Sequence, residues 1–373
     1  MIKNKKIDWK VVWKIGGAHA AYQIGAGFAT GQESLQYIGS FGGHWPFILP
    51  ALLFVMWIMI NISQYKAGFT QKFQDPNQAY DYYCGSKLGK VINVFSNVTV
   101  GLSTLVMFAG AGATVNQYLG LPVYVGTIAV GILSVSIVCL GLKSLSNILC
   151  RCGILIIVLI VVTGISSFVL ADHSIMEGQK NVMKYVNDGI ILQAQAFGGH
   201  NPILVIICFM GLGLCLAFTF NIALGEQCKN IETCVASSVC ASVFYVGGIL
   251  MVLFSMLRDL DYIGKTGAKV PMLAVVAHKI PFMELPYTII IFLGVINTIS
   301  GYLWVVGRRF AEDKTIKQRL IVILMAVIGC CVGSVIPIDR LLNYVFPIAG
   351  YIGIVLFVLL IVKEISLRKG RRE

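Results

Sequence analysis

Apolar residues gather along this chain into ten long runs, at about 11–40, 46–66, 91–118, 121–142, 145–171, 201–226, 232–257, 284–307, 318–337 and 341–363. A bilayer core of roughly 30 Å is crossed by about 20 apolar residues of helix. Within the runs, apolar and polar positions do not alternate as they do in a barrel strand that faces lipid on one side and a lumen on the other. The pattern predicts an all-α membrane protein of about ten transmembrane helices. No Ser-rich or Gln-rich linker divides the chain, so residues 1–373 read as one membrane domain. The longest polar intervals fall at about 67–90, 172–200 and 258–283. The last holds "VPMLAVVAHKIPFMELP", too short and too Pro-bounded to span, which predicts a partly inserted external helix that covers the mouth of the protein.

Two runs carry glycine pairs near mid-depth: Gly25-Ala26-Gly27 in span 1, within "QIGAGFATGQES", and Gly211-Leu212-Gly213 in span 6. Gly25 lies roughly 19 Å into its span at 1.5 Å per residue. Spans 1 and 6 open two halves of five helices each, at about 11–171 and 201–363. An odd number of spans inverts the second half against the first. Paired glycine interruptions at matching positions are the mark of inverted-repeat transporters whose helices break at mid-membrane. Either pair alone is explained by close helix packing; their occurrence in matching spans predicts that spans 1 and 6 are both discontinuous.

A broken membrane helix leaves backbone groups that must line a cavity or meet a ligand. After Gly27, the amides of Phe28, Ala29 and Thr30 would open an outer half-helix suited to a carboxylate. Carbonyls near Ala21 and Ile24 would end the inner half and suit a cation, and carbonyls near Gly211 would suit an amine. Span 8 holds "GVINTISG", in which Gly294, Asn297 and Thr298 stand at i, i+3 and i+4 on one helical face, oxygen donors for a sodium ion shared with span 1. Met107 and Phe108 in span 3, with Phe209 and Phe218 in span 6, lie at a depth where they would line an apolar pocket.

Composition agrees with the pattern: 57% of residues are hydrophobic, 12% are charged, and the mean hydropathy is +0.82, whereas a soluble domain has about 25% charged residues. The net charge of +12 is a topology signal. With the amino terminus cytoplasmic, 22 of the 29 Lys and Arg fall inside, which places both termini in the cytoplasm of a cell-membrane protein. The excess favours anionic lipid headgroups, not nucleic acid, as its partner. The basic amino terminus precedes a long run that carries His19 and Gln23, so it reads as a retained span, not a cleaved signal. Cys150 with Cys152, and Cys330 with Cys331, lack metal or redox spacing and read as packing residues. No HExxH, GxSxG or GK[ST] pattern occurs, so neither an enzyme nor a resident cofactor is expected.

At "GAGFATGQE", "FAGAGA" followed by "GLP", and "YVFPIAGYIG", the chain resembles the YkvI-like membrane proteins of the amino acid-polyamine-organocation superfamily, over nearly its whole length. The resemblance implies the LeuT-type five-plus-five fold and secondary transport of an amino acid or related small amine. It aligns Ala21, Ile24, Gly294, Asn297 and Thr298 with a sodium site, and Gly25 to Gly27 and Gly211 to Gly213 with unwound substrate-binding segments. Asn297 stands where similar proteins usually have a hydroxyl residue, and Gly211-Leu212-Gly213 where Ser-Tyr-Asn would be expected.

Glu33 lies roughly 9 Å beyond the first break. An ionisable residue at that depth is a functional candidate by default, either as a proton-coupling site or as a brace facing the external vestibule. Arg151 in span 5 is a rival cation for the sodium volume, unless its side chain snorkels to the interface. His19 reads as a hydrogen-bonded packing residue. The reading is a secondary active transporter that imports an amino acid or similar small zwitterion by alternating access, coupled to sodium. A proton-coupled relative of the same fold and a channel-like pore are the alternatives. The identity of the solute and the oligomeric state are left open.

Overall fold

In lipid a chain satisfies its amides only within itself, and the apolar runs accordingly close into helices. A computed structural model describes residues 6–73, 78–141, 155–158, 160–167, 169–170, 174–312 and 314–369. Seven described helices are long and apolar enough to cross a membrane. They are α4 (Trp45–Gln71), α6 (Ser86–Leu119), α11 (Pro202–Gly225), α12 (Ile231–Arg258), α15 (Glu284–Phe310), α16 (Ile316–Val335) and α17 (Ile338–Lys369). These are the expected spans 2, 3, 6, 7, 8, 9 and 10. Span 4 is the shorter α7 (Val123–Cys139), and span 5 is α8 (Leu155–Ser167), described in part.

Span 1 is cut into three pieces, α1 (Trp9–Gln23), α2 (Ala26–Ala29) and α3 (Gln32–Tyr37). Short helices fill the polar intervals: α5 (Gln78–Cys84), α9 (Ile175–Gly178), α10 (Val182–Asn187), α13 (Leu260–Thr266) and α14 (Pro271–Lys279). Apart from an isolated bridge between Ala196 and Gly199, the described residues hold no β-structure. The chain is a multi-pass, all-helical membrane protein.

The expected break in span 6 is absent: α11 runs without interruption through Gly211, Leu212 and Gly213. Its glycines serve packing. A Cβ on Gly211 would run into the carbonyl oxygen of Gly350 and come within 2.9 Å of the Ile354 amide nitrogen, and a Cβ on Gly350 or Gly353 would strike the backbone of α11 in turn. On another side, a Cβ on Gly225 would meet the Cα of Tyr65 in α4 at 2.6 Å. Small residues let membrane helices touch backbone to backbone, so α11 is wedged between α4 and α17 with its own hydrogen bonds intact.

The side that carries the amino terminus is tied down by polar contacts. Asp8 caps α1 by accepting from the Val11 amide at 3.3 Å, and its other oxygen takes the Lys229 ammonium at 2.7 Å. The Asp8 amide donates to Thr233 at 3.2 Å, and Asn230 donates to the Lys6 carbonyl at 3.0 Å. The opposite side carries α13 and α14. The apolar residues Met272, Leu273, Val275 and Val276 of α14 are buried. Gln117 of α6 fastens this segment through Val270, donating to its carbonyl at 2.9 Å and accepting from its amide at 2.8 Å.

Two outcomes are expected. Gly211→Ala should destabilise the protein by about 1–3 kcal/mol, because backbone on both sides has nowhere to move. Gly247→Ala, whose new methyl meets nothing within 4 Å, should leave the thermal midpoint unchanged. The hydrogen bond from Lys229 and that from the Val11 amide hold the Asp8 carboxyl below its ordinary 3.8. The contribution of Asp8 to the latch should therefore be complete above pH 3.8 and be lost as pH falls through the lower folded value. Hydrogen exchange at the Val11 and Val12 amides reads this directly, and Asp8→Ala should raise their exchange at neutral pH.

Candidate functional site

The stretch "QIGAGFATGQES" breaks twice. Ile24, at φ −82° and ψ 85°, ends α1, and Gly25 turns the chain into the single turn of α2. Gly31, at φ +80°, then turns it into α3 in a backbone conformation that a side chain would strain. Each piece is too short to satisfy its own ends, so neighbours do it. The Tyr287 hydroxyl of α15 donates to the Ala29 carbonyl at 2.8 Å, and the Met272 amide of α14 donates to the Thr30 carbonyl at 3.0 Å. Within the stretch, the Thr30 hydroxyl donates to the Gly27 carbonyl at 3.1 Å.

The Ile24 carbonyl is held more loosely. The Thr298 hydroxyl reaches it at 3.5 Å, long against a usual O–H···O distance of about 2.7–2.8 Å. Gly294, one turn before Thr298, leaves the carbonyl open from that side: a Cβ there would lie 3.7 Å from it. Asn297 is buried beside Thr298, and Ala21 lies in the last turn of α1. The predicted apposition of Ile24 with Gly294 and Thr298 is therefore present. The open amides, however, fall earlier than predicted. Ala29 already donates to Gly25 at 2.9 Å, so the first turn of α2 offers Ala26, Gly27 and Phe28 instead of Phe28, Ala29 and Thr30.

Beside the first break lies an enclosed cavity of ≈ 20 Å³. Its polar lining is the Gln23 side chain and the carboxylate of Glu33, with Met107 of α6 beside them. Leu212, Gly213 and Leu216 of α11 form one wall, and Phe209, Tyr245, Tyr302 and Phe346 give it an aromatic surround. Glu33 is 8% exposed. Its side chain folds back over Gly27, where an added Cβ would lie 2.6 Å from its carboxyl carbon.

Aromatic rings close the cavity on both sides. Toward the cover, Tyr37 packs on Phe209 with ring centroids 4.9 Å apart and anchors its hydroxyl on the Leu342 carbonyl at 3.3 Å. Toward the amino-terminal side, Tyr22 stacks on Phe220 at 4.4 Å, meets Tyr302 edge-on at 6.3 Å and donates to the Leu216 carbonyl at 2.9 Å. The enclosed space suits about one water. A wider cavity of ≈ 610 Å³ opens on the cover side, between Asn116 and Gln117 of α6, Lys269 and Glu284.

Among the predicted substrate residues, Gly25, Met107, Phe209, Leu212 and Gly213 line the central cavity. Phe108 does not: it packs outward on Gly131, Gly329 and Gly333 of α7 and α16. Phe218 stacks on Tyr80 of α5 at 4.4 Å, away from the cavity, and Phe28 is buried against Gly248 and Tyr245 of α12. Gly211 sits in the α11–α17 contact. Arg151 lies outside the described residues. His19 is buried, its Nδ1 2.9 Å from Asn221 Oδ1.

Sequence reasoning missed Gln23, Leu216, Tyr245, Tyr302 and Phe346 as lining residues. Tyr302 could have been found, since it stands one turn beyond Thr298 on the same face, and Phe346 lies inside a motif already singled out. Tyr245 and Leu216 carry no such signal.

No protein-family model matches the chain. Two proteins of Bacillus subtilis (strain 168) are similar to it from end to end. The uncharacterized membrane protein YkvI is 23% identical over 358 residues, 93% of this chain and 94% of YkvI. The uncharacterized protein YyaD is 24% identical over 346 residues, 92% of this chain and 94% of YyaD. Among solved structures, a Na+-coupled sialic acid symporter in a substrate-bound outward-open state superposes with a TM-score of 0.57 at 12% identity, over 93% of this chain and 78% of that one. The H236A mutant of an Eremococcus coleocola manganese transporter does so with a TM-score of 0.59 at 15% identity, over 95% and 79%. The fold is thus one found in membrane transporters.

The Tyr287 hydroxyl is the structural tie across the break. Tyr287→Phe should cost about 1–3 kcal/mol by leaving a buried carbonyl unpaired, read as a lower thermal midpoint. Tyr344→Phe, at a residue 68% exposed, should leave it unchanged.

Proposed function

We propose that this chain is a secondary active transporter that moves an amino acid or related small zwitterion inward by alternating access, coupled to sodium. The observation that carries the reading is the enclosed cavity at the first break, beside a loosely held Ile24 carbonyl that faces Gly294 and Thr298. Backbone carbonyl and side-chain oxygens are what a hard monovalent cation needs. In this reading sodium bridges α1 and α15 through Ala21, Ile24, Asn297 and Thr298. The helices form a ten-span, five-plus-five inverted repeat with both termini in the cytoplasm. The solute carboxylate is taken by the α2 amides at Ala26, Gly27 and Phe28.

The small size of the cavity favours a carrier over a pore. A conducting path needs continuous water, whereas this cavity has room for about one, with the Tyr37–Phe209 and Tyr22–Phe220 pairs packed near it. Opening one pair at a time gives access from alternate sides. The turn at Gly31 and the α14 cover fastened to Thr30 are placed to move with the pair on the cover side.

Sodium should raise the thermal midpoint of the purified protein relative to potassium; at 100 times its Kd it would add about 2.7 kcal/mol. Thr298→Ala and Asn297→Ala should each weaken sodium affinity about tenfold, the effect of losing one charge-assisted contact, which at the same sodium concentration roughly halves the added stability. Uptake of amino acids into proteoliposomes should follow the sodium gradient. Uptake that runs equally well without it, and is untouched by both substitutions, would remove sodium from the mechanism.

A further inference from the structure

The unbroken α11 takes away the amine site expected from sequence: the Gly211 carbonyl lies against Gly353 of α17 and cannot meet a solute. We propose that Glu33 is the fixed anion of the central cavity and pairs with the ammonium of the solute, so that the site selects amine-bearing molecules over simple carboxylates. The proposal rests on the transporter reading and names the chemical class that the carrier takes.

The geometry comes first. Glu33 begins α3 just past the second break, and the absence of a side chain at Gly27 lets its carboxyl group fold back toward the first. It thereby lines the same cavity as Gln23 and Gly25 although it is more than nine-tenths buried.

Charge accounting comes next. The cavity is bounded by Gln23 of α1, Met107 of α6, four residues of α11, Tyr245 of α12, Tyr302 of α15 and Phe346 of α17, and none of these is a cation. The ion pairs recorded among the described residues lie elsewhere: Lys229 with Asp8, Lys269 with Asp339, and Lys279 and His278 with Asp259. A carboxylate in a membrane interior costs at least a few kcal/mol unless it is paired, hydrated or protonated. The cavity has room for little water and its lining brings no cation, so Glu33 is held ionised there by a cation that the solute brings.

The rest of the lining defines the occupant further. The Gln23 side-chain nitrogen is buried and makes no hydrogen bond, so it offers a donor to a carboxylate or carbonyl on the same molecule. The rings of Phe209, Tyr245, Tyr302 and Phe346 suit an ammonium by their faces and an apolar side chain by their area. A divalent metal does not fit: no group of three or more His, Cys, Asp and Glu that could hold one occurs among the described residues, and Glu33 alone supplies too few hard ligands. The occupant is a small molecule with one protonated amine and a hydrogen-bond acceptor, and the cavity must widen to admit it.

The test is binding to the purified full chain in sodium, read by thermal shift and calorimetry. The probes are alanine, leucine and phenylalanine, the amines left by removing their carboxylates, and the acids left by removing their amines. Wild type should bind at least one amino acid and its amine, and none of the acids. Glu33→Gln should weaken that binding at least tenfold, and Glu33→Asp should restore part of it. The stabilisation by sodium alone should persist in Glu33→Gln, which shows that the variant is folded and its α1–α15 contact intact.

Binding of the acids as tightly as the amines, unchanged amine binding in Glu33→Gln, or no amine-bearing probe bound by wild type would each overturn the assignment. So would a Glu33→Gln protein that has lost its response to sodium yet still binds the amine, since Glu33 would then hold the ion. Alternating-access transport is tested apart from these results, and fails if proteoliposomes show no saturable counterflow.

Discussion

An interrupted membrane helix exposes carbonyls that lipid cannot satisfy, and the whole centre of this protein is arranged around that constraint. Two elements far along the chain from it, α14 and α15, converge on residues 24–31 to meet it. The Tyr287 hydroxyl and the Thr298 hydroxyl come from two places on α15, three turns apart, and the Met272 amide comes from the cover helix α14. Because these bonds stand in for missing helical ones, the break ties α15 and α14 to it. The central cavity lies beside the first break, lined by Gln23, Gly25 and Glu33 on that side.

A second constraint acts on the wall opposite the break. The glycines of α11 and α17 bring two helices into backbone contact, which leaves Leu212, Gly213 and Leu216 as a rigid, apolar face toward the cavity. One side of the site is thus loose and polar, made of broken backbone, an amide and a carboxylate. The other is tight and apolar. That asymmetry suits a carrier, in which a mobile half works against a fixed one.

How much of this was legible in the sequence follows from which forces were local. Glycines at 25, 27 and 31 lower the cost of leaving a helix, and the apolar runs require helices in lipid, so the break in span 1 and the seven long helices could be read directly. The i, i+3, i+4 face of α15 followed from helical geometry alone. Glu33 was visible as an oddity, but whether it faced a vestibule or a cavity depends on how far its side chain folds back over Gly27, a distance set by the second turn at Gly31.

The glycines of α11 show the limit most clearly. In sequence, Gly211 and Gly213 look like Gly25 and Gly27, because in both cases the residue only removes a side chain. What that removal is used for depends on what stands opposite. Beside Gly211 stands the backbone of α17, so the helix stays whole and packs; beside Gly25 stand Met107 and Thr298, and the helix opens. Local chemistry therefore determined the membrane fold, the helix boundaries and the place where backbone could be freed. Only the tertiary structure decided which glycines freed it, which aromatic rings line the space, and that the Glu33 side chain reaches that space, because each of those depends on contacts between residues distant in the chain.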